Sequence, residues 1–180
     1  MNPELQSEET RWRDDASRGD TVALGHIYDA YAERIYYYLY RRLGDSSLAQ
    51  DLTADVFLRL VEAAGTPRFC HGALAPWLYR LAHNRLVDHF RRNREVPMPE
   101  DLPDTTVDPP SPGAELGIDL GVLRSALRRL TPDQQQVIAL KFLEDLSNAQ
   151  VAAALGRSEG AVESLQFRAL SSLRRILEER

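Results

Sequence analysis

A proline-rich, acidic segment at residues 95–115 divides the chain into two halves. Its sequence, EVPMPEDLPDTTVDPPSPGAE, combines prolines, acids and small polar residues and has neither helical nor strand periodicity. From Glu95 to Leu123 there are seven acidic residues and no lysine or arginine. This composition is typical of an extended, flexible linker. The sequence therefore predicts two small domains, one on each side of it.

Both halves are predicted to be helical. Glycine and proline are sparse in them, apolar residues recur at intervals of three and four, and alternating runs of valine, isoleucine and threonine do not occur. We therefore expect an all-α protein, in which residues 1–18 form a frayed tail or a short leading helix. Further helices are expected at about 20–43, 46–64, 75–92, 115–129, 132–144, 148–155 and 159–178.

Composition and charge exclude several classes of protein. The net charge of -5 argues against a protein that coats nucleic acid without specificity. Cys70 is the only cysteine, which excludes an internal disulfide, and the four histidines lack the spacing of a metal site. No apolar run approaches the roughly 18 residues that span a bilayer, and the polar, acidic start carries no secretory signal. We expect a cytoplasmic protein with no membrane insertion and no metal or other cofactor.

The second half contains two strongly marked helix starts. Thr131-Pro132-Asp133-Gln134 is a capping box with proline at the first helical position, and Ser147–Gln150 repeats the box pattern. The second of these helices stops at Gly156, and Ser158 is placed to cap the next one. A short helix, a glycine turn and a longer helix form a helix-turn-helix pattern. An αα-hairpin that packs on its neighbours without DNA has the same pattern and remains an alternative.

The last predicted helix has two different faces. One stripe is predicted to face the core and consists of Val162, Ala169, Leu173 and Ile176, with Leu165 at its edge. The outward face, which would enter a major groove, consists of Gly160, Glu163, Ser164, Phe167, Arg168, Ser171 and Arg175.

A basic stretch in the first half interrupts the acidic chain, because residues 80–94 contain five arginines and one acid. On a helix, one side would carry Trp77, Arg80, Asn84 and Arg91, and the opposite side would carry Leu78, Ala82 and Leu86 toward a core. An aromatic ring among arginines is typical of surfaces that hold unstacked bases and a single-stranded backbone. The alternative is that Trp77 belongs to the core and the arginines form a solvated face.

The run from residue 130 to 177, LTPDQQQVIALKFLEDLSNAQVAAALGRSEGAVESLQFRALSSLRRIL, closely resembles region four of extracytoplasmic-function (ECF) sigma factors, which belong to the sigma-70 superfamily. In that family the last helix reads the minus-thirty-five promoter element. The resemblance implies DNA contacts by Ser158, Glu159, Gly160, Ser164, Phe167 and Arg168. Arg168 is the strongest candidate, because a guanidinium pairs bidentately with guanine or binds phosphate. Glu163 and Leu165 depart from the family, where basic residues are common, so we expect weak phosphate contacts there.

The stretch APWLYRLAHNRLVDHFRR resembles the sigma regions that melt and read the minus-ten element, and the loop at 66–75 aligns with the loop that receives a flipped promoter base. The resemblance implies that Asn84 contacts this base. It assigns the pocket to the loop-tip residues Phe69, Cys70 and His71. The adjoining minus-ten surface is assigned to Trp77, Arg80 and Arg91. Capture of the base would offset the few kcal/mol of unstacking, so opening would need no ATP. Simple burial of Cys70 remains an alternative.

The helix predicted at 46–64 is apolar on more than one side. Leu52, Val56 and Leu60 share one stripe, and other sides carry Phe57, Leu58 and Val61. A helix of this kind is either central in a core or half-covered by a partner. It resembles sigma region two-two, which binds the clamp helices of RNA polymerase. The resemblance implies polymerase contacts by Asp51, Asp55, Phe57, Leu58 and Arg59.

Taken together, the resemblance implies a non-enzymatic initiation factor that binds core RNA polymerase at its clamp helices and flap, recognises two promoter elements and assists promoter melting. It also implies an anti-sigma factor, which would hold the chain inactive and near the membrane. The implied domains are an N-terminal tail at 1–19, sigma region 2 at 20–94, the linker at 95–115 and sigma region 4 at 116–180.

Two other classes of protein compete with this interpretation. A stand-alone helix-turn-helix regulator would bind duplex DNA as a dimer, but it leaves unexplained the stripe that begins at Trp77 and the apolar helix around Phe57. A helical hydrolase that uses His83 and His89 has no supporting spacing.

Overall fold

The computed structural model describes residues 3–67, 69, 72–92 and 120–178, so the predicted linker at 95–115 lies outside the described residues. Within the described ranges the chain is helical and has no strand, which confirms the all-α prediction. The helices are α1 (Pro3–Ser17), α2 (Thr21–Leu43), α3 (Ser46–Ala63), α4 (Leu74–Arg92), α5 (Leu120–Arg128), α6 (Pro132–Ile138), α7 (Asn148–Leu155) and α8 (Glu159–Glu178).

Local capping sets the helix ends of the first half. The Asp20 carboxylate accepts a hydrogen bond from the Val22 N–H at 2.8 Å, and α2 then runs to Gly44, which adopts φ 67°. Asp45 caps α3 in the same way, with its carboxylate 3.0 Å from the Leu48 nitrogen. A side-chain acceptor at the N-cap and a left-handed glycine after the last turn are strong local signals. The predicted end of α2 at Gly44 is confirmed.

The chain divides into two compact units. The first contains α1 to α4, with α2 packed against α1, α3 and α4. Its core includes the fully buried side chains of Ile27, Ile35, Leu39, Val56, Leu60 and Leu78. Of the two alternatives for residues 1–18, the structure shows a leading helix. The buried Glu9 carboxylate attaches it to α2 by accepting a hydrogen bond from the Tyr31 hydroxyl at 2.5 Å.

The aromatic run of α2 packs mainly inward. Tyr38 and Tyr40 are buried, and Tyr38 meets the Tyr79 ring of α4 edge-on with 5.4 Å between centroids. Tyr36 and Tyr37 are half-buried, and Tyr36 stacks on Tyr40 at 5.6 Å. Burial raises the pKa of the Tyr36 hydroxyl, and the neighbouring Tyr40 and Tyr37 raise it further. This run therefore helps hold α2 against α4.

In the second unit, α5 and α6 pack against α8. The core formed there contains Ala126, Leu130, Ile138, Ala169 and Ile176, with Leu127 and Leu173 packed against it. The helix predicted at 132–144 is α6 followed by a π-helical turn at Ala139–Leu143.

Both predicted capping boxes of this unit are confirmed. The Gln134 N–H donates to the Thr131 hydroxyl at 3.4 Å, and the Gln134 side chain accepts from the Thr131 N–H at 3.0 Å. At the start of α7, the corresponding distances between Ser147 and Gln150 are 3.2 and 2.8 Å. Each box satisfies N–H groups that a helix start would otherwise leave without partners. These local signals fix where α6 and α7 begin.

Candidate nucleic-acid interface

α4 presents a polar edge on the side away from its core residues. Leu78, Ala82 and Leu86 are buried, as predicted. Arg80 and Asn84 are exposed, and neither side chain makes a hydrogen bond or ion pair with any described residue. Arg91 is also exposed and donates to the Asp88 carboxylate at 3.1 Å. The edge therefore offers a cation and an amide whose donors and acceptor are available to a ligand.

Trp77 does not lie on this exposed edge, so the predicted stripe is wrong at its first position. Its side chain is 9% exposed and packs against Phe69, which is 3% exposed, with 5.5 Å between ring centroids. The physical reason is that the loop before α4 folds back over the helix start, which lets two large rings bury each other. The structure thus agrees with the alternative that placed Trp77 in the core. Cys70 and His71 lie outside the described residues.

The loop between α3 and α4 contacts α1, which sequence reasoning missed. The Arg13 guanidinium donates through Nη1 to the Gly72 carbonyl at 2.7 Å, and the Gly65 N–H donates to the Ala16 carbonyl at 3.3 Å. Gly65 and Gly72 have φ values of 70° and 108°. The only sequence signal for this contact was the glycine on either side of the loop, because glycine often marks a backbone conformation that other residues rarely adopt.

On α3, four of the five predicted polymerase contacts are exposed: Asp51, Asp55, Leu58 and Arg59. Leu58 is 54% exposed, and Val61, one turn along, is 56% exposed, so an apolar strip remains uncovered beside the charges. Arg59 forms an ion pair with Glu62 at 2.8 Å. This face has the mixed apolar and charged character of a surface that a protein partner covers.

Phe57, the fifth predicted contact, is buried. It is 6% exposed and meets the Tyr28 ring of α2 edge-on at 4.8 Å. Phe57 therefore does not contribute to the exposed surface of α3 in this structure, because the Tyr28 ring of α2 packs against it. Tyr28 itself is 52% exposed.

The helix-turn-helix has the predicted turn and face pattern. Gly156 adopts φ 64° after α7, and the Ser158 hydroxyl caps α8 by accepting from the Ala161 N–H at 3.3 Å. Val162, Ala169 and Ile176 are buried. The outward residues assigned to DNA are all exposed, with Ser158 directly before α8 and the others in its first and middle turns: Ser158, Glu159, Gly160, Ser164, Phe167 and Arg168.

Two of these side chains stand out on the exposed face of α8. Phe167 is 73% exposed, which is unusual for so large an apolar ring. Arg168 donates through Nε to the Ser164 carbonyl at 3.1 Å. Within the described part of the chain no acceptor engages its two terminal nitrogens, so the fork of the guanidinium is oriented and available.

The two residues of α8 that depart from the family pattern differ in exposure. Glu163 is exposed on the outward face, where its charge would oppose a phosphate. Leu165 is 7% exposed, so it is a core residue and its lack of charge has no bearing on phosphate contact. The expectation of a weakened contact therefore applies to Glu163 alone.

The comparisons with known proteins agree with this arrangement. The family model for Sigma-70 region 2 matches residues 27–96, and that for Sigma-70, region 4 matches residues 120–173. The ECF RNA polymerase sigma factor BldN of Streptomyces coelicolor is 37% identical over 166 residues, which is 90% of this chain and 63% of that protein. The chain belongs to the ECF sigma factors. The alternative of a stand-alone regulator is not favoured.

Other relatives support the same assignment. The sigma factor YlaC of Bacillus subtilis is 29% identical over 83% of this ECF sigma factor and 88% of its own length. SigE of Mycolicibacterium smegmatis is 31% identical over 88% of this chain. This chain spans somewhat less than two thirds of BldN and SigE, at 63% and 64% of their lengths.

Solved structures share the fold of this ECF sigma factor. CnrH, solved in complex with the cytosolic domain of CnrY, aligns with a TM-score of 0.69 at 21% identity, over 96% of this chain and 98% of its own. RpoE of Bartonella quintana, solved in complex with the anti-sigma factor NepR, gives a TM-score of 0.67 at 23% identity, over 86% and 96% of the two chains. Among the described helices, none is both long and apolar enough to cross a membrane.

Proposed function

We propose that this sigma factor binds core RNA polymerase at its clamp helices and flap, recognises the minus-ten and minus-thirty-five promoter elements, and assists promoter melting. Region 2 would comprise residues 20–94, the linker 95–115 and region 4 residues 116–180. The observation that carries the proposal is an exposed polar helix edge in each unit. On α4 the side chains of Arg80 and Asn84 are available to bind DNA, and on α8 the terminal nitrogens of Arg168 are available. The factor would act in the cytoplasm and catalyse no reaction of its own.

In region 4, α8 would enter the major groove at the minus-thirty-five element. The Arg168 fork has the geometry to bond a guanine edge, and the exposed Phe167 ring can contact a thymine methyl group. Glu163 on the same face opposes phosphate, so isolated region 4 would bind weakly. Its affinity would then depend on being tethered to polymerase through region 2, which raises the effective concentration of DNA.

In region 2, Asn84 would hydrogen-bond the extruded base while Arg80 neutralises the single-stranded backbone. In the free protein Trp77 and Phe69 are buried against each other. Their role would therefore be to support the loop, and not to stack on a base. The energy of base capture would offset unstacking, which costs a few kcal/mol.

The exposed face of α3 would contact the polymerase clamp. Leu58 and Val61 supply apolar surface, and Asp51 and Asp55 lie exposed along the same helix. An anti-sigma factor would regulate access to these surfaces; that RpoE of Bartonella quintana was solved with the anti-sigma factor NepR supports this part of the proposal.

Transcription by core polymerase with and without this chain, on fragments of the source genome, tests the function. We expect core-dependent initiation at a limited set of promoters. Tight binding of the free chain to duplex DNA, without stimulation of polymerase on any fragment, would instead indicate a stand-alone regulator.

Substitution of Asn84 should separate promoter opening from polymerase binding. Asn84→Ala removes a donor and an acceptor from an exposed position and leaves the core of region 2 intact. We expect open-complex formation to fall about tenfold, the effect of losing roughly one to two good hydrogen bonds. Permanganate reactivity of unpaired thymines measures opening, and fluorescence titration with core polymerase measures binding.

Leu58→Ala is the reciprocal control, because it truncates an exposed apolar side chain on α3. It should weaken core binding about tenfold, as expected for a buried leucine in an interface, and leave opening by the saturated holoenzyme unchanged. Equal losses of binding and opening in Asn84→Ala would remove the base-capture role of this residue.

A further inference from the structure

The loop between α3 and α4 is attached to α1 at both of its ends. At the first end, the Gly65 N–H donates to the Ala16 carbonyl at 3.3 Å; at the second, Arg13 donates to the Gly72 carbonyl at 2.7 Å. Residues 13 and 16 are three apart and so lie on one face of the helix. One face of α1 therefore holds both ends of the loop.

Each attachment depends on backbone geometry that favours glycine. Gly65 and Gly72 have φ values of 70° and 108°, in the left-handed region where other residues are strained. Between them, Phe69 is buried against Trp77. Three described residues of the loop thus have tertiary contacts: Gly65 and Gly72 bond to α1, and Phe69 packs on α4.

The Arg13 guanidinium is itself oriented. Its Nε and Nη2 both donate to the Asp14 carboxylate oxygen, at 2.9 and 2.6 Å, which leaves Nη1 directed at the Gly72 carbonyl. The Arg13 side chain is 26% exposed, so this contact is partly shielded from water.

α1 also packs against α2 through specific side-chain contacts, so it can serve as a fixed support for the loop. The buried Glu9 carboxylate accepts from the Tyr31 hydroxyl, and the Trp12 ring stacks on His26 with 5.7 Å between centroids and 21° between planes. These contacts lie on the helix turns that precede and include Arg13.

We propose that α1 is a part of the minus-ten apparatus and that Arg13 is a positioning residue for the loop that receives the flipped base. The inference rests on the proposed function. Arg13 does not touch DNA in this scheme; it fixes the Gly72 end of the loop before DNA arrives. A Gly72 backbone that is fixed in advance loses less conformational freedom when a base enters, which favours capture of the correct base.

Arg13→Ala tests the inference, with Arg11→Ala as the matched control. Arg11 lies on the same helix, is 83% exposed and has only a long ion pair of 3.8 Å to Asp15 among the described residues. Both variants remove one positive charge from α1, but only the first removes a bond to the loop. Arg13→Lys, which retains the charge but has only one donating nitrogen, should give an intermediate result.

Two measurements are made on the full chain. In the free protein, hydrogen exchange at the Gly65 and Phe69 amides should be about fivefold faster in Arg13→Ala and unchanged in Arg11→Ala. In holoenzyme, the probe is the promoter fragment that the wild-type chain transcribes best, beside fragments with single substitutions in the minus-ten element. Arg13→Ala should reduce discrimination between them about fivefold, with core affinity unchanged.

The outcomes separate the two proposals. Unchanged exchange in Arg13→Ala, or faster exchange with unchanged discrimination, would overturn the role of α1 in base capture. A parallel loss of core affinity would indicate a purely structural role and would overturn it too. If wild type and all variants were equally unable to open any promoter, the proposed function would fail and this inference with it, whereas the exchange data would still report the contact.

Discussion

Arg168→Ala should lower initiation at a promoter selected by the wild-type holoenzyme about tenfold or more, which corresponds to the 1 to 3 kcal/mol of a bidentate contact to a base. The reason is geometric. Nε is engaged with the Ser164 carbonyl, and the terminal nitrogens project from the exposed face of α8. Initiation is measured by single-round transcription, and the dependence on the minus-thirty-five sequence is measured on templates with each base substituted.

Arg174→Ala is the control for this substitution, because its guanidinium lies on the same helix and pairs with Glu178 at 2.7 Å. It should leave promoter preference unchanged. The salt dependence separates two roles for Arg168: loss of a phosphate contact would reduce the salt slope and affect all templates alike, whereas loss of a base contact would relax preference at one position. Equal activity of Arg168→Ala and wild type would remove Arg168 from the reading surface.

Leu78→Ala should lower the free energy of unfolding of the first unit by about 3 kcal/mol, the typical result of emptying a fully buried leucine site. Leu78 has no exposed surface and lies in the core of the first unit. The chain has two tryptophans, Trp12 and Trp77, both in that unit, so urea unfolding followed by tryptophan fluorescence reports on it selectively.

Val87→Ala is the matched control for Leu78→Ala, since it truncates an apolar side chain of the same helix that is 49% exposed. We expect its midpoint in urea to lie close to that of wild type, because surface substitutions usually change stability by less than about 0.5 kcal/mol. A similar loss in both variants would contradict the placement of Leu78 in the core.

Much of the fold could be predicted because its signals are local. Gly44, the Thr131 capping box and the turn at Gly156 each act within a few residues, and helical periodicity placed Leu78 and Val162 in cores. Family resemblance then supplied the assignment of the two regions, which composition and periodicity alone did not establish.

The errors arose where burial depends on a segment that is distant along the chain or lies outside the helix. Trp77 falls on the polar side of α4 by periodicity, yet the preceding loop brings Phe69 over it. Phe57 is covered by Tyr28, which belongs to another helix. The bond between Arg13 and Gly72 joins residues 59 apart, and no pattern within either segment indicates it.

The difference between Glu163 and Leu165 bears on how promoter preference can change in evolution. The two positions are only two residues apart in sequence, but only Glu163 is free of packing constraints. Exchange of Glu163 for a basic residue would strengthen attraction to DNA with little effect on folding, whereas a charge at position 165 would have to be buried, which is strongly unfavourable without a partner. Divergence of promoter preference in a lineage of such chains should therefore accumulate at position 163 and at its exposed neighbours, while position 165 changes only together with the residues around it.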